Sequence, residues 1–435
     1  MERIIARFDP SAVVEGFLKG SPDNRRVAYL LKHGDQFSVI VDQTRGRDYD
    51  GIVYSSLVFS PDSKQLAYMA RVGKGGLVVV NGVEGKHYDG IGANNLIFSS
   101  DSKRLAYMAR VGKEWFVVVD GIEGKHYADI EADTLTFSPD SKRLAFVVDA
   151  GDTLFVVVDG VEEKQYDDIE EGGPLFSPDS RRLAYASIAD GKWFVVVDGV
   201  EGKQYDDHLS RSTTFSPDSK RLAYGAGVGK KRFVVVDGIE GKQHDSIAAG
   251  ILTFSPDSRR LAYGAGVGKK WFVAVDGIEG KQYDGIAAGS LAFSPDSRRL
   301  AYGASVGKKW FVVVDGVEGK RYDGIGEGAL AFSPDSRRLA YAARVGKKWF
   351  VIADGVEGKQ CDGIGDGGLI FSPDSMRLAY GAQVGKKWFV VVDGVEGKRC
   401  DGIVAERRSI FDSASSLHYL AVRSNEVYLV EESME

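Results

Sequence analysis

A period of 39 residues governs what this chain can fold into. The Phe of FSPDS, or of FSSDS in one copy, stands at Phe59, Phe98, Phe137, Phe176, Phe215, Phe254, Phe293, Phe332 and Phe371, always 39 residues apart. Weaker copies at Gly20 and Ile410 keep the register, so eleven units account for 429 of the 435 residues. No Pro-rich spacer or charge block separates them, and residues 1–435 read as one domain. The fold is therefore derived for one unit and multiplied.

Residues 252–286 serve as that unit. Residues 252–254 form a short alternating piece, and SPDS (255–258) is a turn in which Pro presets one φ and Asp and Ser satisfy local donors. RLAYGA (260–265) predicts a second strand, GVGKK a loop, and WFVAVD (271–276) a third strand rich in aromatic and β-branched residues. GIEG (277–280) reads as a hairpin connection, KQYDGI (281–286) as a fourth strand, and AAGS (287–290) as a variable loop leading to the next unit. No segment offers ten residues at helical spacing, and glycine recurs every few positions at a helical cost of about 1 kcal/mol each.

A strand such as VVVD is apolar on both faces and must be covered on both. Stacking each four-stranded sheet between two like sheets meets that demand, and radial stacking of this kind is a β-propeller. The expected class is all-β: a single closed β-propeller of eleven four-stranded blades. Residues 2–9, ERIIARFD, look like the missing fourth strand of the last blade, whose other strands come from Ile410, residues 417–423 and residues 427–430. Pairing the two ends removes exposed edges and favours a closed ring over an open solenoid. All six tryptophans, Trp115, Trp193, Trp271, Trp310, Trp349 and Trp388, occupy one position of the unit, as a set of core anchors would.

The FSPDSKRLAY and VVVDG elements resemble the WD40-like (PD40) repeats of TolB-type propellers. FSPDS at 59–63, 137–141, 215–219 and 254–258 carries the likeness, which runs over essentially the whole chain. The resemblance implies the propeller fold. For function it implies only a broad class, from binding modules to propellers appended to hydrolases, and no α/β-hydrolase segment follows here.

The bulk numbers narrow the function classes. A net charge of -6, with 56 basic and 62 acidic residues, suits a soluble chain and argues against a nucleic-acid surface. Apolar runs are too short to span a membrane, and the N-terminus lacks a signal-peptide core, so a cytoplasmic, monomeric protein is expected. Cys361 and Cys400 stand where other units carry Tyr, and read as substituted packing positions rather than a redox or metal pair. His33, His87, His126, His208, His244 and His418 are scattered, at most one per unit. The repeating Asp residues lack the clustered spacing of a calcium loop. No cofactor, metal or catalytic residue is expected.

What varies between units is more informative. The stretch before each L-x-F changes: GANN at 92–95, EADT at 131–134, EEGG at 170–173, LSRS at 209–212, AAGI at 248–251, GEGA at 326–329 and AERR at 404–407. The segment after the second strand varies too. Loops after strands two and four of a propeller blade share a face, so both variable regions are expected on one recognition face. Lysine pairs stand there in five consecutive units: Lys230 with Lys231, Lys269 with Lys270, Lys308 with Lys309, Lys347 with Lys348, and Lys386 with Lys387. Earlier units carry acidic Glu131, Asp133, Glu170 and Glu171 instead. The Arg pairs of SPDSRR, such as Arg259–Arg260, read as surface charge beside a turn.

The expected function is a non-enzymatic scaffold that binds a protein or peptide on this face. The lysine pairs, Arg211 and Arg407 are the candidate contact residues. Two alternatives stand beside it: a carbohydrate-binding or hydrolytic propeller using the central channel, and an amplified or designed repeat with no evolved ligand.

Overall fold

The computed structural model of the chain describes residues 1–9, 11–92, 95–287, 289–365, 368–404 and 409–434. The chain is all-β, an eleven-bladed β-propeller built from eleven antiparallel sheets. Its residues divide into two compact units. One comprises Met1–Arg7, Ser216–Gly225 and Lys230–Glu435, the other Phe8–Phe215 and Ala226–Gly229. The same blade recurs in both.

One blade shows why the sequence folds as it does. Its first strand comes in two pieces, Gly285–Ile286 and Ala292–Phe293, both paired with the second strand Leu300–Val306. The third strand, Lys309–Val314, pairs along the whole second strand, from Ala301↔Val314 to Val306↔Lys309. The fourth begins at Val317–Glu318 and is tied again by the Trp310↔Tyr322 bridge.

Two turns are specified by their side chains. In the turn between strands three and four, Asp315 and Gly316 have φ of 51° and 83°, the pair of positive values that a tight hairpin demands. Asp315 Oδ1 also accepts the Leu300 N–H at 2.8 Å, so the carboxylate welds the turn to strand two. In the SPDS turn, Ser294 Oγ donates to Asp296 Oδ1 (2.6 Å) and accepts the Arg299 N–H (2.9 Å).

Packing is between sheets. Ala301, Val312 and Tyr322 of one blade bury against Leu339, Tyr341 and Phe350 of the next. Tyr283 meets Tyr302 edge-on, with ring centroids 6.4 Å apart. The fully buried anchors are these fourth-strand tyrosines and the Phe after each Trp, such as Phe272 and Phe311. The tryptophans are half-buried near the start of the third strand, except Trp388 at 8% exposure. They cap the core more than they fill it, because strand three enters the sheet interior only one residue later.

Three expectations change. The hairpin between strands three and four is Asp-Gly rather than the four residues 277–280, since Ile278–Glu279 already pairs with Ala274 and Val275. Gly285–Ile286 opens the next sheet instead of ending the fourth strand, because the apolar Ile286 joins that sheet's packing. The variable stretch therefore interrupts the first strand and does not connect strand four to strand one. In three blades it is spanned by a continuous strand with a register shift, Val13–Gly20, Ser246–Phe254 and Gly324–Phe332.

The last blade closes as expected. Strand Glu2–Arg7 pairs antiparallel with Glu426–Ser433, from Glu2↔Val430 to Arg7↔Glu426. Arg423 holds Glu2 with two hydrogen bonds of 2.7 and 2.9 Å, and the Met1 ammonium donates to the Glu431 carbonyl.

Candidate binding surface

The lysine turn is built by the two-residue connection between strands two and three. Gly268 takes φ of 60°, which lets Val267 and Lys270 face each other across the hairpin. Lys269 follows Gly268 in the turn, and Lys270 opens the third strand.

The two lysines of each pair have different fates. Lys270 Nζ donates to Asp284 Oδ1 at 2.6 Å, and the other oxygen of Asp284 accepts the Gly307 N–H of the next turn at 2.6 Å. The same bridge recurs as Lys231–Asp245–Gly268, Lys309–Asp323–Gly346 and Lys348–Asp362–Gly385. Lys387 and the Ser424 N–H share Asp401 likewise. The lysine ammonium and then the turn N–H hold Asp245, Asp284, Asp362 and Asp401 below the usual carboxylate range. At Asp323 the Gly346 N–H is the larger cause. Lys231, Lys270, Lys309, Lys348 and Lys387 are thus spent on joining blades.

The first lysine of each pair is not. Lys230, Lys269, Lys308, Lys347 and Lys386 are exposed and form no ion pair among the described residues. Next to them, Val267, Val306 and Val345 are 44%, 36% and 48% exposed. The sequence showed ten equivalent cations; the structure leaves five, at one per blade, four of them beside an exposed valine (Val228, Val267, Val306 and Val345) and Lys386 beside the half-buried Val384.

The variable stretch has its own chemistry. Ser290 Oγ donates to the Ala287 carbonyl (2.7 Å) and accepts the Gly303 N–H (2.9 Å), filling the gap where strand one leaves strand two. Ser56 and Thr134 do the same in their blades. Neighbouring stretches are also tied: the Asp133 N–H donates to Asn95 Oδ1 at 3.1 Å. Arg211, at φ of 57°, donates its N–H to Glu170 Oε1 at 2.6 Å, so its backbone is committed to the adjacent stretch. Arg407 lies outside the described residues, as do Ala93, Asn94 and the rest of 405–408.

Two features escaped the sequence reading. His208 and Glu170, from neighbouring units, come together with Nδ1 3.4 Å from Oε2, and their side chains are 3% and 12% exposed. The signal was there in His208, which stands where the units on either side carry Ile169 and Ile247, whereas Glu170 shares its position with Glu131. The second Arg of each SPDSRR pair is not free surface charge either. Arg299 Nη1 donates to the carbonyls of Ser336 (3.3 Å) and Arg337 (3.1 Å) in the next blade, and its guanidinium lies 5.2 Å from the Phe332 ring centroid.

The acidic stretches hold one perturbed carboxyl. Burial, then the nearby charges of Asp149, Asp129 and Asp168, raises Glu131 above the usual range. Cys361 and Cys400 are 4% and 1% exposed, each with Sγ against a tryptophan carbonyl (3.3 and 3.2 Å), and burial pushes both thiols up to about 11. Among the described residues no group of three or more His, Cys, Asp or Glu side chains is arranged to hold a metal ion, and no helix is long and apolar enough to cross a membrane.

No family model matches the chain, and no curated protein matches it. Solved structures align with parts of the chain. The crystal structure of the eukaryotic initiation factor aligns at 14% identity and a TM-score of 0.42, over 73% of this chain and 91% of that one. TolB from Acinetobacter baumannii aligns at 17% identity and a TM-score of 0.26, over 51% and 65%. The Dos1 propeller aligns at 12% identity and a TM-score of 0.34, over 71% and 93%. These likenesses concern the β-propeller fold alone, and the PD40/TolB likeness of the FSPDS and VVVDG elements remains a resemblance of sequence.

Proposed function

We propose that this protein is a non-enzymatic binding scaffold that receives an acidic protein or peptide segment along the row Lys230, Lys269, Lys308, Lys347 and Lys386. The observation that carries the reading is the division of labour in each lysine pair. One lysine is consumed by an inter-blade carboxylate, while its neighbour stands exposed and forms no ion pair among the described residues at every blade of the series. Charge of one sign repeated at a fixed spacing favours a partner with several acidic groups, because each further contact forms at high effective concentration. The exposed valines beside the lysines favour a polypeptide with apolar residues among its acids over a bare polyanion. Arg211 and Arg407 belong to the variable stretches and would set which segment is accepted.

Fluorescence anisotropy with a labelled peptide alternating Glu and Leu tests this. Reversing Lys269, Lys308 and Lys347 to Glu is expected to weaken binding by about tenfold or more, and high salt to weaken the wild type. Reversing Lys142, Lys220 and Lys103, which are 80–82% exposed elsewhere, keeps the same net charge change. Equal loss in both triple variants would overturn the assignment, as would unchanged binding in the first.

A further inference from the structure

The blades enclose a recurring groove on the side of the SPDS and Asp-Gly turns. Between the blades around Val273 and Leu300 it measures about 570 Å³. Its floor is Val273, Val275, Leu300 and Tyr302, and its rim balances Arg260, Lys281 and Arg298 against Asp276, Glu279 and Asp315. The equivalent groove near the start of the chain is about 630 Å³. Its floor is the same four residues displaced by six repeats: Val39, Val41, Leu66 and Tyr68.

The rim is not the same. Arg26, Arg47 and Lys64 keep the three cationic positions and Asp42 keeps one acid. Arg45 replaces the acid at the Glu279 position, and Asn81 replaces the acid at the Asp315 position. Three cations against three acids become four against one. Asp48, outside the lining and standing where the other unit has Gln282, pairs with Arg45 at 2.6 Å and returns one negative charge. Arg47 pairs with Glu84 (2.8 Å), Arg26 with Asp42 (2.7 Å) and Lys64 with Asp62 (3.6 Å). Each of the four cations thus has a carboxylate partner, but of those acids only Asp42 lines the groove, and Arg47 and Lys64 remain 71% and 81% exposed.

From this we infer that the groove formed by Val39, Val41, Leu66 and Tyr68 is a binding site for a small amphipathic anion, an alkyl or aryl body carrying one carboxylate or phosphate. The volume lies in the range of small-molecule sites. The apolar floor takes the body, and Arg45 with Arg47 takes the anionic head, for which a guanidinium offers paired donors. Asn81 matters by what it lacks: it accepts the Leu66 N–H through Oδ1 at 3.0 Å, as the Asp does in other blades, without the charge that would repel the ligand. The turn keeps its geometry while the site changes sign. This site is independent of the lysine row.

The repeat itself supplies variants that keep the fold. Arg45→Glu with Asn81→Asp restores the residues that other blades carry at these positions. Titration of the full chain with anilinonaphthalene sulfonate, displaced by hexanoate or hexyl phosphate, reads the site. One equivalent is expected in the wild type, weakened at least about tenfold in the double variant, with the tighter of the two displacers identifying the head group. Carrying the change into the other groove, as Glu279→Arg, Gln282→Asp and Asp315→Asn, is expected to add a second equivalent. Undiminished binding in the Arg45→Glu/Asn81→Asp variant, displacement by hexanol as strong as by the anions, or no binding at all would overturn the assignment.

Discussion

Arg338 Nη1 donates to the carbonyl oxygen of Ser375, 37 residues further along the chain, over 3.1 Å. The same guanidinium pairs through Nε with Asp354 of its own blade (2.8 Å) and lies 5.1 Å from the Phe371 ring centroid of the next. One side chain therefore joins a turn, a neighbouring backbone and a neighbouring ring. Arg338→Ala is expected to lower stability by about 1–2 kcal/mol in urea unfolding. Arg337→Ala, at a side chain 87% exposed, is expected to change it by less than about 0.5 kcal/mol. Equal effects would show that the second Arg is no more than surface charge.

The Lys–Asp bridges predict how the protein meets acid. Asp245, Asp284, Asp362 and Asp401 lie below the ordinary carboxylate range in the folded chain, each first because of its lysine partner. A depressed folded value means the stabilisation is fully present above the unfolded value of about 3.9 and is lost as pH falls through the folded values. Thermal unfolding followed from pH 7 to pH 2 should show a flat contribution from these groups down to about pH 5 and a loss below about pH 4. Asn at 284 and 362 should make that loss shallower.

Closure of the last blade can be tested at one carboxylate. Arg423 and, at 3.4 Å, Lys398 converge on Glu2, and the Arg423 hydrogen bond is the first cause that holds its carboxyl low. Glu2→Gln is expected to cost about 1–2 kcal/mol, since a charge-assisted pair is weakened while the strand pairing stays. Hydrogen exchange should quicken first in the strand Glu2–Arg7 and its partner Glu426–Ser433.

The two thiols should be inert in the native state. With Cys361 and Cys400 buried and pushed up to about 11, little thiolate exists at pH 8 and little surface admits a reagent. A thiol-reactive dye should label neither within hours under native conditions and both at once in denaturant. Rapid native labelling would place these cysteines at an accessible edge.

The period of Phe59, Phe98 and their successors was enough to read the blade count; the all-β class came from strands such as WFVAVD and the recurring glycines, and the role of residues 2–9 from a last unit one strand short. Blade boundaries were less legible. Ile286 looks like the end of KQYDGI until its packing is known, since apolarity alone does not say which of two adjacent sheets a residue serves. Lys269 and Lys270 are the same amino acid, and only the position of Asp284 tells the free one from the paired one. Arg299 was read as solvated for a similar reason: its partners are backbone carbonyls one unit ahead, and carbonyls leave no mark in a sequence. His208, Arg45 and Asn81 were visible as departures from the repeat, but their juxtaposition with neighbours, such as His208 with Glu170, was not.

Near-identity between units creates a problem of folding frame. Each SPDS turn reaches the next through contacts such as the Asp296 N–H on Ser336 Oγ (2.9 Å), and equivalent groups recur elsewhere. A chain that docks a unit onto the wrong copy, one period out of step, would satisfy nearly all of these contacts and become kinetically trapped, as repeat proteins tend to. Glu2 with Arg423 offers a proofreading contact, because the charged partner for the N-terminal strand exists in the terminal unit. Removing that pair should therefore slow refolding and enlarge the misfolded fraction beyond what its equilibrium cost alone would produce.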